Sequence, residues 1–250
     1  IFLFFLFISP IKANTIYNLI KIPNLEIYEI NTKNNLKYFY ASSSFRLGVQ
    51  KNIVCMNSHK EDYDDKYQII SHNLKRYSKQ FLKKINLKYI VMCENLSISG
   101  INTAGIPDNI MKTLILDIKF NEKYFKRVIH HEVFHIINDN FKELFDENIW
   151  NKFNKKKFLY AQCSTCSKRF GLDTFKRTDG FFTEYSKSTA SEDMAETYSH
   201  IMTLSPEKLK EISKEDYILK MKINFIKFRL LKIYKNFSFP GDMNTKVIIG

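Results

Sequence analysis

Residues His130-His131-Glu132-Val133-Phe134-His135 contain H-E-x-x-H, and that spacing constrains this chain more than any other feature. On an α-helix, His131 and His135 stand one turn apart and project from the same face. Both imidazoles then reach one ion, with Glu132 beside the coordination position left for water. The stretch must therefore lie inside a helix. A distant part of the chain must also fold back to complete the coordination, because catalytic zinc takes three protein ligands.

The surrounding pattern fits that demand. Asn121 is a helix cap, and Tyr124, Val128, His131 and His135 fall on one helical stripe after it. Upstream, strands are expected at Leu25–Ile30, Leu36–Ala41, Leu87–Cys93 and Lys112–Phe120, with a turn-rich loop at Ser99–Asp108. Tyr67, Ile70, Leu74, Tyr77, Phe81 and Leu82 recur at helical spacing within 62–85. Downstream, 142–160 reads as interrupted helix and 163–183 as loop. Glu192–Leu204 reads as a helix stopped before Pro206, and Glu215–Lys235 as a final helix that packs on the core rather than lying on a membrane. The expected class is α+β, with a small mixed sheet in the N-terminal part and a mostly helical C-terminal part. Residues 14–250 form one domain in this reading, with a strand-containing lobe at 14–120 and a helical lobe at 121–250.

The third ligand is sought in Thr183-Glu184-Tyr185-Ser186-Lys187-Ser188-Thr189-Ala190-Ser191-Glu192-Asp193-Met194-Ala195-Glu196. Glu192 and Glu196 are one helical turn apart, so one carboxylate can bind a metal while the other accepts the second ring N–H of a ligating histidine. Thr189 and Glu192 also match a capping box, which is the structural alternative for Glu192. His130 points about 100° away from His131 and is expected to be structural. His200 is a reserve ligand, and His59 and His72 have no evident partner.

These two segments together resemble the zinc-binding metallopeptidases of the gluzincin class, and are similar to the catalytic domain of anthrax lethal factor. There too a Tyr precedes a Glu-x-x-x-Glu helix. The likeness spans roughly residues 70–235. It implies a zincin-like fold, one Zn²⁺ per chain held by His131, His135 and Glu192, and Glu132 as general base. It further implies Tyr185 near the scissile carbonyl, Glu196 behind a ligating histidine, and a protein or peptide substrate. The competing classes are a non-catalytic zinc-binding protein on the same scaffold and a cationic surface-binding module.

Composition bears on the last of these. The net charge of +13 suits an anionic partner. However, its basic residues are 33 Lys against 6 Arg, scattered along a chain rich in Ile, Asn, Phe and Tyr. Base readout favours the bidentate Arg fork, so no nucleic-acid partner is expected. The apolar run Ile1–Ile8, followed by Ser9 to Ala13, reads as a secretory-signal remnant over 1–13; a buried N-terminal strand is the alternative. No other segment is long and apolar enough for a transmembrane anchor, and export is the expected localisation. Four cysteines allow three pairings. The expected ones are Cys163 with Cys166 and Cys55 with Cys93, as suits an oxidising compartment.

Overall fold

The computed structural model describes residues 25–48, 50–57, 59–161, 163–164 and 171–241. The signal-like run at 1–13 and Cys166 lie outside these residues. The class is mixed α+β, and every described strand precedes residue 118.

At the centre of the sheet, β2 (Lys37–Ala41), β5 (Tyr89–Ile98) and β8 (Thr113–Asp117) run parallel. Antiparallel strands flank them: β1 (Leu25–Glu29) beside β2, and β7 (Gly105–Asp108) beside β8. Side chains alternate across this sheet, as a pleated backbone requires. Tyr38, Ile90, Met92, Leu114 and Leu116 face the helical core. Phe39, Val91, Cys93 and Ile115 face a smaller cluster on the other side, with Phe45, Leu47 and Cys55.

Past Cys93, β5 leaves the main sheet and pairs with β4 (Ile53–Met56) and the short β6 (Ile101–Asn102), while β3 (Phe45–Leu47) pairs with β4. The departure is held by the buried Asp117 carboxylate, which accepts from Asn95 N at 3.1 Å, Leu96 N at 3.2 Å and Lys119 N at 2.9 Å. Asn95 adopts φ +50°, a conformation Asn tolerates better than most side chains. A Cys55–Cys93 disulfide ties β4 to β5. Cys163 is also disulfide-bonded.

The expected turn-rich loop at 99–108 therefore contains a hairpin strand and an edge strand, and β3 and β4 have no counterpart in the sequence reading. These strands have two to four residues each, too few for a periodicity to register. The helical run at 62–85 is two helices, α1 (Lys60–Leu74) and α2 (Lys79–Lys84), because the Ser78 side chain caps a new start by accepting from Phe81 N. Only α4 (Glu147–Asn151) is α-helical within 142–160.

α3 (Glu122–Asn140) carries the H-E-x-x-H run and packs against α5 (Ala190–Thr203), β7 and α1. A chain of buried hydrogen bonds joins three of these helices. Tyr198 donates to Tyr77 (2.9 Å), Tyr77 to His130 Nδ1 (2.6 Å), and His130 Nε2 to Asn73 Oδ1 (3.2 Å). Burial pushes the His130 pKa down to about 3, so its ring is neutral and serves as a strut.

Pro206 does follow α5, yet it also opens a further helix, α6 (Pro206–Glu215), where Ser205 accepts from Lys208 N. Proline is preorganised for a first helical position, and its missing N–H costs nothing there. Asp216 then caps α7 (Tyr217–Ile233), which packs against α5 and α6 through Leu219, Ile223, Phe225, Ile226 and Leu230. No described helix is long and apolar enough to cross a membrane.

α7 meets α5 through a fully buried ion pair, Lys222 Nζ to Asp193 Oδ2 at 2.6 Å. Trp150 Nε1 (2.9 Å) and Tyr160 OH (2.5 Å) donate to the same oxygen, and Lys222 also donates to the Gly180 carbonyl at 2.7 Å. Removing one partner strands the other charge in the core. Lys222→Met is expected to lower unfolding free energy by about 3–5 kcal/mol in denaturant titrations, and adding Asp193→Leu should recover much of that loss.

Candidate metal centre

The cap of α5 sets the geometry. Thr189 Oγ1 accepts from Glu192 N at 3.1 Å, which is half of the capping box. The Glu192 carboxylate does not turn back to complete it. Instead it crosses to α3, where Oε2 lies 2.9 Å from His131 Nε2 and 3.3 Å from His135 Nε2. The two ring nitrogens are 3.1 Å apart. His131, His135 and Glu192 thus bring one ligand atom each into a single cluster.

The contents of that cluster are chemically telling. His131 Nδ1 donates to Glu196 Oε1 at 3.0 Å, so the neutral ring presents a bare lone pair at Nε2. A carboxylate oxygen and a second imidazole nitrogen face that lone pair. With His135 also protonated at Nδ1, three acceptors at this range repel unless a positive charge sits among them. With protein groups alone, burial would lower the His131 pKa, but the Glu192 and Glu196 carboxylates outweigh it and hold it at about 10. The proton occupies the place a dication would take. Atoms about 2.0–2.1 Å from a tetrahedral zinc ion stand roughly 3.3 Å from each other. The observed spacings of 2.9, 3.1 and 3.3 Å lie at or just inside that value. The residues therefore fit zinc.

Glu196 is buried behind His131, and its second oxygen accepts from Thr183 Oγ1 at 2.8 Å. Despite its burial, His131 and Arg127 keep its pKa down at about 2, hence ionised. Glu132 is also buried, at 8% exposure. Burial raises its pKa above the usual carboxylate value, against the pull of His131 and His135. Tyr185 opens a 3-10 turn (Tyr185–Lys187) that packs on α5, its ring centroid 5.9 Å from that of His131. Burial first, then neighbouring carboxylates including its hydrogen-bond partner Glu192, push its pKa far up, so the phenol keeps its proton.

Every site residue expected from the sequence is thus drawn into one place, while His200 is not. Its Nδ1 donates to the Glu196 carbonyl at 2.8 Å, Nε2 accepts from Thr174 Oγ1 at 3.0 Å, and its ring stacks on Phe182 with centroids 4.2 Å apart. One participant escaped the sequence reading altogether. A Cβ built on Gly105 of β7 would stand 2.6 Å from Glu132 Cγ. Glycine in a turn-rich loop carries no mark of that contact; only the packing of β7 on α3 creates it.

Two imidazoles on α3 and a carboxylate on α5 make a candidate metal-binding site. The profile of the family described as "Putative zinc-binding metallo-peptidase" matches residues 65–235, and the chain belongs to that family. The family supports a peptidase role toward protein or peptide substrates, with zinc as the metal. Among solved structures, a "putative zinc-binding metallo-peptidase from Bacteroides caccae ATCC 43185" is similar at 18% identity, with a TM-score of 0.45. That likeness covers 68% of this chain and 69% of the other. No curated protein matches.

Two outcomes follow from this geometry. Gly105→Ala should push Glu132 out of place, lowering kcat at least tenfold while zinc content by elemental analysis stays at the wild-type level. His200, like His130, is held neutral, its pKa pushed down from 6.5 to about 4 by burial. The unfolded chain takes up that proton below pH 6.5 while the folded chain does not. The His200 contribution to stability should therefore be level above pH 6.5 and fall as pH drops toward 4. His200→Gln should flatten part of that slope in urea titrations.

Proposed function

We propose that this chain is a secreted zinc endopeptidase, with His131, His135 and Glu192 as the metal ligands and Glu132 as the general base. The observation that carries the reading is the convergence of two imidazole nitrogens and one carboxylate oxygen from α3 and α5, with Glu132 beside them. Bound there, zinc supplies Lewis-acid polarisation of the peptide carbonyl and a water of lowered pKa.

The chain's own groups do the rest. Glu132 takes a proton from water and passes it to the departing amine. Its burial favours the protonated form midway through that cycle, and Gly105 leaves room for the carboxylate to stay in place. Tyr185, protonated and close to His131, donates a hydrogen bond to the carbonyl oxygen as charge develops on it. Glu196 fixes the His131 tautomer and makes Nε2 a better ligand.

Among the described residues, β7 pairs only with β8, which leaves its other edge unpaired, and its Gly105 packs against Glu132. An extended peptide can add to such an edge with chain continuing on both sides, which supports endopeptidase over exopeptidase action. The Cys55–Cys93 disulfide supports an oxidising, exported location.

Metal analysis of purified protein should find about one zinc per chain. Zinc should be lost from a His131→Ala, His135→Ala double variant and weakened by Glu192→Ala. Glu132→Gln should retain zinc and fold but abolish peptide hydrolysis. Tyr185→Phe should lower kcat roughly 10²–10³-fold with little change in KM. Wild-type zinc affinity in Glu192→Ala would overturn the ligand assignment.

A further inference from the structure

Arg127 stands one helical turn before His131 on α3, and its side chain is almost wholly buried. The guanidinium spans two structures. On one side its NH2 group bonds the Leu172 carbonyl, and its NH1 group lies 3.3 Å from Thr174 Oγ1 and 3.4 Å from His200 Nε2. On the other, its buried Nε has no hydrogen-bond partner among the described residues and lies 3.7 Å from Glu196 Oε2. That oxygen is the one not bonded to His131; it also accepts from Thr183.

We propose that Arg127 is a positioning residue for the metal centre. Thr183 hydrogen-bonds Glu196 Oε2, and the Arg127 charge 3.7 Å away attracts the same oxygen, so together they oppose rotation of the carboxylate and keep Oε1 aimed at His131 Nδ1. The physical reason is specific to this geometry. A buried carboxylate with one bonded oxygen pivots about its Cγ–Cδ bond, whereas one held at both oxygens does not. Arginine suits the task because its charge is permanent and its fork holds several acceptors in one plane. The second end of the fork joins the same device to segment 172–174, so that segment and the ligand His131 share one anchor. This inference rests on the zinc-site reading above and adds a residue that touches neither metal nor substrate.

The test is a double-mutant cycle on zinc affinity, measured by competition with a chromophoric chelator, with cobalt-substituted absorption spectra as a second readout. Arg127→Gln and Glu196→Gln should each weaken zinc binding roughly 10–100-fold. If Arg127 acts through Glu196, the double variant should be no weaker than Glu196→Gln alone. Arg127→Lys, which restores the charge without the fork, should fall between wild type and Arg127→Gln, and it serves in place of Arg127→Gln should that variant fail to fold. Cobalt spectra of Arg127→Gln should shift in the same direction as those of Glu196→Gln. The proposal is overturned if Arg127→Gln binds zinc like wild type, or if the two penalties simply add, which would mean Arg127 supports only segment 172–174. A wild-type protein that takes up no zinc would refute the metal-centre reading instead, a result the cycle reveals before any variant is compared.

Discussion

Three electron-rich atoms from two helices are held closer together than they would sit unaided, and the rest of the structure serves that arrangement. His131 Nε2, His135 Nε2 and Glu192 Oε2 are all acceptors when both rings carry their proton at Nδ1, as His131 does in donating to Glu196. Such a cluster is a standing demand for positive charge. Without metal the demand is met by a proton held far above the ordinary histidine range; with metal it becomes affinity.

Holding the cluster together takes rigid supports on every side. The Tyr198–Tyr77–His130–Asn73 chain fastens α5 and α1 to α3 beneath the ligating face. The buried Lys222–Asp193 pair fastens α7 and Trp150 to the same α5 segment, one residue past Glu192. Such buried polar contacts add little net stability against apolar substitutes, but their directionality permits only one relative placement of the helices. A metal site needs that placement more than it needs extra stability.

The sheet's contribution is narrower but equally specific. Parallel β2, β5 and β8 provide a wall for the helices, and β7 at its edge brings a residue without a side chain against Glu132. Had β7 carried any Cβ at that position, the Glu132 side chain could not keep its present place.

What the linear chain determined by itself was mostly helical. H-E-x-x-H within a capped amphipathic stretch, and two glutamates one turn apart after a threonine cap, are local patterns whose meaning follows from the 3.6-residue period. Both halves of the cluster were therefore legible before any fold was known, as was the mixed α+β class. Tertiary structure alone decided the rest. Glu192 both heads its helix and reaches the histidines, a double role no spacing reveals. Gly105 and Arg127 matter through contacts made across 27 and 69 residues of chain, with Glu132 and Glu196. His200, equally plausible as a ligand on its helix, is turned away by partners in segment 174–182 that have no periodic signature. Periodicity tells which side chains share a face, whereas only packing tells what that face meets.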